Sequence, residues 1–155
     1  MDSFCVEAYI ETSIKGPAVG EAAGEWLIEY VTGAGVPVTR NGIIWRSKTT
    51  ENALTLELLI GALSILTKTC SVRVNTPCGH VLNAVNNRWI PQWEKKGWVN
   101  AKGDPVKNAE LWQQADRLMK NHLVEIYSWN HKYREVMRYD IWKEMKKTHA
   151  ESLQG

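Results

Sequence analysis

Apolar and polar residues alternate in two stretches near the start of the chain, Val6-Glu7-Ala8-Tyr9-Ile10-Glu11 and Trp26-Leu27-Ile28-Glu29-Tyr30-Val31. Period-two alternation sends successive side chains to opposite faces of a strand, so both stretches are predicted to be strands. Lys15-Gly16-Pro17 is a turn signal between them, Gly20 and Gly24 loosen the approach to the second strand, and Thr32-Gly33-Ala34-Gly35 reads as a hairpin turn. A third strand from about Val36 to Trp45 completes an antiparallel meander.

The period then changes. Thr49-Thr50-Glu51-Asn52 is a helix-start signal, and Leu54, Leu58, Leu59, Ala62, Leu63 and Leu66 recur at helical spacing, predicting a helix from about 52 to 67. Ser71-Val72-Arg73-Val74-Asn75 reads as a short strand. A strand, a crossover helix and a strand imply a parallel pair. Short helices are predicted over 80–87 and about 89–97, with a loop at 101–105. An amphipathic helix follows over 108–121, then a strand over 123–129 and a last helix over 134–147. The pattern describes one α/β domain, residues 1–155, built on one mixed sheet.

Composition narrows the class. At 155 residues and 17.6 kDa, with 44% hydrophobic and 23% charged residues and a mean hydropathy of −0.35, the chain reads as one soluble globular domain. No apolar run approaches the roughly 20 residues of a membrane span, and the N-terminus lacks a basic leader, so a cytoplasmic location without membrane contact is expected. Cys5, Cys70 and Cys78 form no CxxC pair and read as free thiols. The four histidines lack zinc spacing. The net charge of +2 is unevenly spread: residues 1–70 hold five Lys/Arg against eight Asp/Glu, and residues 71–155 hold fourteen against nine. A basic second half leaves room for an anionic partner.

One segment is specific. Trp89-Ile-Pro-Gln-Trp93-Glu-Lys-Lys-Gly-Trp98 is followed by Pro105-Val-Lys-Asn108 and Leu111-Trp-Gln113. These motifs, in this order, resemble the basic protrusion of type 1 ribonuclease H, here at about 88–108, and the resemblance runs over roughly residues 6–147. It implies a ribonuclease H-like fold: a five-stranded mixed sheet, three antiparallel strands and then parallel ones, flanked by helices. The chain is also similar to ribonuclease H-like proteins of bacterial mobile elements. The resemblance implies an RNA–DNA hybrid or other duplex as partner. Lys95, Lys96, Lys102 and Lys107, set among Trp93 and Trp98, have the chemistry for phosphate and sugar contact. The alternative is a small tryptophan core behind a solvated lysine face. Thr50 matches a phosphate-contacting threonine of the family and Asn52 one of its two groove-reading amides; Glu51 replaces the other amide. His131 aligns with a mobile histidine of the family.

The family cleaves the RNA strand with two divalent ions held by four acids. The first-strand acid aligns with Glu11 and the last-helix acid with Asp140. The two remaining positions carry Thr55 and Pro77, neither of which supplies a carboxylate. The expected function is therefore a ribonuclease H-like nucleic-acid-binding or interaction module with little or no hydrolysis. Glu11 and Asp140 would be a weak remnant metal site, no cofactor would be required for folding, and Mg²⁺ or Mn²⁺ would matter only for an active enzyme. Two alternatives stay open. One is an active metal-dependent hybrid nuclease using Glu11, Asp140 and Glu51. The other is a mobile-element protein that binds and inhibits a host complex handling nucleic acid.

Overall fold

The computed structural model describes residues 4–154, with side chains over 4–147. Strands β1 (Phe4–Thr12), β2 (Gly20–Val31) and β3 (Pro37–Thr49) form the meander. Helix α1 (Glu51–Ser64) leads to β4 (Cys70–Asn75), and α2 (Gly79–Asn86), α3 (Trp89–Lys95) and α4 (Ala109–Met119) precede β5 (Leu123–Tyr127) and α5 (Arg134–Gln154). The sheet order is β3-β2-β1-β4-β5, with antiparallel pairing among the first three strands and parallel pairing of β1 with β4 and of β4 with β5.

The expected sheet is present, with differences at the element ends. Helix α1 starts where Thr50 caps it, its hydroxyl accepting the Ala53 N–H at 3.2 Å, but it stops at Ser64 and not near 67. Strand β2 begins at Gly20, so Gly20 and Gly24 lie inside the strand and not before it. The reason at Gly24 is close packing: a Cβ there would sit 2.5 Å from Leu58 Cδ1 and 2.9 Å from the Glu11 carbonyl oxygen. The helix can approach the sheet there because that position has no side chain. The hairpin turn is as expected, with Thr32 N–H donating to the Val36 carbonyl at 2.9 Å and Gly35 at φ 80°.

Each sheet face packs differently. Val6, Ala8, Ile10, Ile28, Val72 and Val74 face α1, whose Leu54, Leu58, Leu59 and Leu63 are buried against them. On the other face, Tyr9 and Leu27 pack with Met137 of α5. The acids Glu7, Glu11, Glu25 and Glu29 share that second face by strand alternation, and the latter three are buried beneath α5 and the segment just before it. Among the described residues, no helix is long and apolar enough to cross a membrane.

Candidate nucleic-acid interface and acid site

Glu11 sits near the end of β1 and is 4% exposed. Its Oε2 lies 3.2 Å from His131 Nε2, and its Oε1 lies 3.8 Å from Arg138 Nε. The His131 Nδ1 accepts the Tyr133 N–H at 3.2 Å, which leaves the proton on Nε2 and makes that nitrogen the donor to Glu11. The ring stacks on Tyr9 with centroids 4.6 Å apart. His131 is therefore fixed against the sheet at both ring nitrogens and on one ring face. Its side chain is 5% exposed, which differs from a solvated histidine. The segment before α5 is also pinned beside it. Lys132 donates to Glu29 at 2.7 Å, and the Tyr133 hydroxyl bonds the same carboxylate. Burial would raise the Glu29 carboxyl, but these two donors outweigh it and hold the carboxyl below its usual range.

Asp140 lies on α5 beside a residue the sequence pattern did not single out. Glu25 of β2 is fully buried, directly across from Glu11 in the ladder. Asn41 donates to its Oε2 at 2.9 Å, while Oε1 has no donor. Burial first, and the neighbouring Asp140 carboxyl next, push Glu25 up to about 7, against the opposing pull of Asn41. A protonated Glu25 can donate to the Asp140 carboxyl beside it, which an ionised Glu25 cannot.

Thr55 is 1% exposed and its hydroxyl has no well-aligned hydrogen-bond partner. It lies near the buried Cys78 thiol, which donates to Asn52 Oδ1 at 3.2 Å and which burial pushes up above its ordinary pKa. Pro77 is exposed at the bend before α2. Glu51 points elsewhere: its Oε1 accepts the Gly16 N–H at 3.0 Å and its Oε2 is 3.9 Å from Lys15, so it ties the β1–β2 loop to the start of α1. Among the described residues, no three His, Cys, Asp or Glu side chains converge as a metal ion requires.

In the protrusion the tryptophans cluster. Trp93 packs edge-on against the fully buried Trp112 at 5.4 Å and lies 6.1 Å from both Trp89 and Trp98. Gly97 at φ 70° and Trp98 at φ 64° turn the chain after α3, and the Trp98 N–H returns to the Trp93 carbonyl at 2.7 Å. Trp93 and Trp98 are thus partly buried in packing, whereas Lys95, Lys96, Lys102 and Lys107 are all exposed. The packed rings hold a turn that displays four cations.

A five-stranded sheet in this order, a lysine-bearing protrusion and an acid at the end of the first strand define a protein of the ribonuclease H class. The model of the RNase H family matches residues 29–131, and the chain belongs to that family. It is similar to the ribonuclease H of Lachnoclostridium phytofermentans, 33% identical over 109 residues that make up 70% of this chain and 69% of that protein. The ribonuclease H of Clostridium botulinum is 40% identical over 77 residues, covering 50% of this chain and 52% of the relative. The chain thus spans about half the length of several curated relatives it matches. In fold it is similar to LC9-RNase H1, a type 1 RNase H with the type 2 active-site motif, at a TM-score of 0.72 and 24% identity over 90% of this chain and 71% of that one. It also resembles a foamy viral protease-reverse transcriptase in complex with an RNA/DNA hybrid, at a TM-score of 0.61 and 13% identity over 86% of this chain and 18% of that one.

Proposed function

We propose that this chain is a ribonuclease H-like module that binds RNA–DNA hybrids or related duplexes and hydrolyses them very slowly or not at all. One observation carries the reading: both oxygens of Glu11 face the protein's own donors, His131 and Arg138. A divalent ion such as Mg²⁺ needs several hard oxygen ligands, and a two-metal centre needs carboxylates that bridge or flank both ions. Here Thr55 and Pro77 offer no carboxylate, and Asp140 faces Glu25. This donor set does not fit a metal pair. The binding half of the reading is supported by the four exposed lysines of the protrusion and by family membership.

The test is a labelled RNA–DNA hybrid incubated with the protein in Mg²⁺ or Mn²⁺, read by gel shift and for cleavage, beside a Glu11→Ala control. The expected result is a shifted hybrid with intact RNA. Cleavage that falls in Glu11→Ala would replace this reading with an active enzyme using a rearranged site.

A further inference from the structure

Helix α5 is apolar on two opposite faces. Met137 and Ile141 point at the sheet and are buried, while Val136, Tyr139 and Trp142 point away from it and are 49%, 56% and 53% exposed. A surface helix ordinarily carries one apolar stripe toward the core. The outer rings are also organised. Tyr139 and Trp142 stack with centroids 5.9 Å apart and planes 26° from parallel. Lys143 Nζ sits over the Tyr139 ring, 5.6 Å from its centroid, and Lys146 Nζ over the Trp142 ring at 4.6 Å, so a base that stacks on either ring takes the place of its lysine, whose flexible stem swings the ammonium out toward the phosphate.

We propose that this outer face of α5 binds single-stranded nucleic acid, with unpaired bases extending the Tyr139–Trp142 stack and phosphates meeting Lys143 and Lys146. Flat aromatic faces beside cations match the two parts of a nucleotide, and base–aromatic stacking tolerates any sequence. A paired base hides its faces inside the duplex, so the rings favour a single strand over a double one. A purely apolar protein surface would cover the rings but offer the two ammonium groups no anion, whereas a nucleic-acid backbone supplies one at each nucleotide. The inference goes beyond the duplex reading above, because that reading uses the protrusion and this one uses a different element.

The experiment uses the full chain and a fluorescein-labelled oligothymidylate of about twelve nucleotides, titrated by anisotropy between ~50 and ~200 mM salt. A Tyr139→Ala/Trp142→Ala variant should bind it about tenfold or more weakly. A Lys143→Ala/Lys146→Ala variant should lower the salt slope by about 1.4, at roughly 0.7 for each single-strand phosphate that is no longer neutralised. Both variants should keep the parent's melting temperature and its affinity for the RNA–DNA hybrid. The inference is overturned if the parent does not bind the oligonucleotide or if both variants bind it like the parent. It is also overturned if sedimentation shows a dimer that Trp142→Ala dissociates without changing oligonucleotide affinity, since a second copy would then cover the face. The hybrid arm reports on the protrusion separately, so the two readings can fail independently.

Discussion

Glu11 and Glu25 face each other across β1 and β2, yet they are accommodated in opposite ways. Glu11 meets His131 and Arg138, whereas Glu25 meets a second carboxyl, Asp140, and a single amide donor. Because the folded protein holds the Glu25 proton up to about pH 7, it binds more protons than the unfolded chain between about 4.5 and 7. Stability from this site is therefore full below about 4.5, is lost as pH rises to about 7 and stays flat above, with a span of up to about 3 kcal/mol. Glu25→Gln keeps an acceptor for Asn41 and gives Asp140 a permanent donor. In thermal melts it should raise the melting temperature by several degrees at pH 8 and leave it nearly unchanged at pH 4.5. An equal shift at both pH values would mean that Glu25 does not hold its proton above the ordinary carboxyl range. Sequence alternation correctly placed Glu11 on a strand face. It did not single out Glu25, because a polar strand face ordinarily meets water and alternation along β1 and β2 carries no information about a helix more than a hundred residues later. The weak signal available was Met137 and Ile141, four residues apart, which mark an inward stripe on α5.

Local chemistry wrote most elements into the chain. The Thr50 cap, the leucine spacing of α1 and the alternation of β1 and β2 all lie within a few residues of what they specify. The ends were less legible where tertiary contact decides a residue: Gly24 lies inside β2 as a glycine because Leu58 packs on it, and not because the chain loosens there. In the protrusion, the sequence left two uses of the tryptophans open, and the structure packs them together around Trp93. The lysines are what the packed rings leave free for phosphate contact. Replacing Lys95, Lys96, Lys102 and Lys107 by Ala should weaken hybrid binding and flatten its dependence on salt, by roughly 0.9 in slope for each duplex phosphate left without its lysine. Titrations of parent and variant over a range of salt would measure it. An unchanged slope would place the duplex elsewhere on the surface.

For the molecule as a whole, topology and charge point the same way. The meander, crossover and parallel strands bring Glu11, Asp140 and His131 onto the face covered by α5, while residues 71–155 carry the basic excess that an anionic partner requires. The family and its sheet order were legible because the protrusion motif is long and specific. The surroundings of Glu11 were not legible in the same way. The resemblance puts Thr55 and Pro77 where the family has acids, but the engagement of Glu11 by His131 and Arg138 depends on how α5 and the segment before it fold over the sheet. Titrating the protein with Mn²⁺ and following free Mn²⁺ by electron paramagnetic resonance tests this arrangement most directly. The expected curve shows no saturable site tighter than about millimolar, and it is the same for Glu11→Ala. One or two ions bound at micromolar concentration, and released by Glu11→Ala, would contradict it.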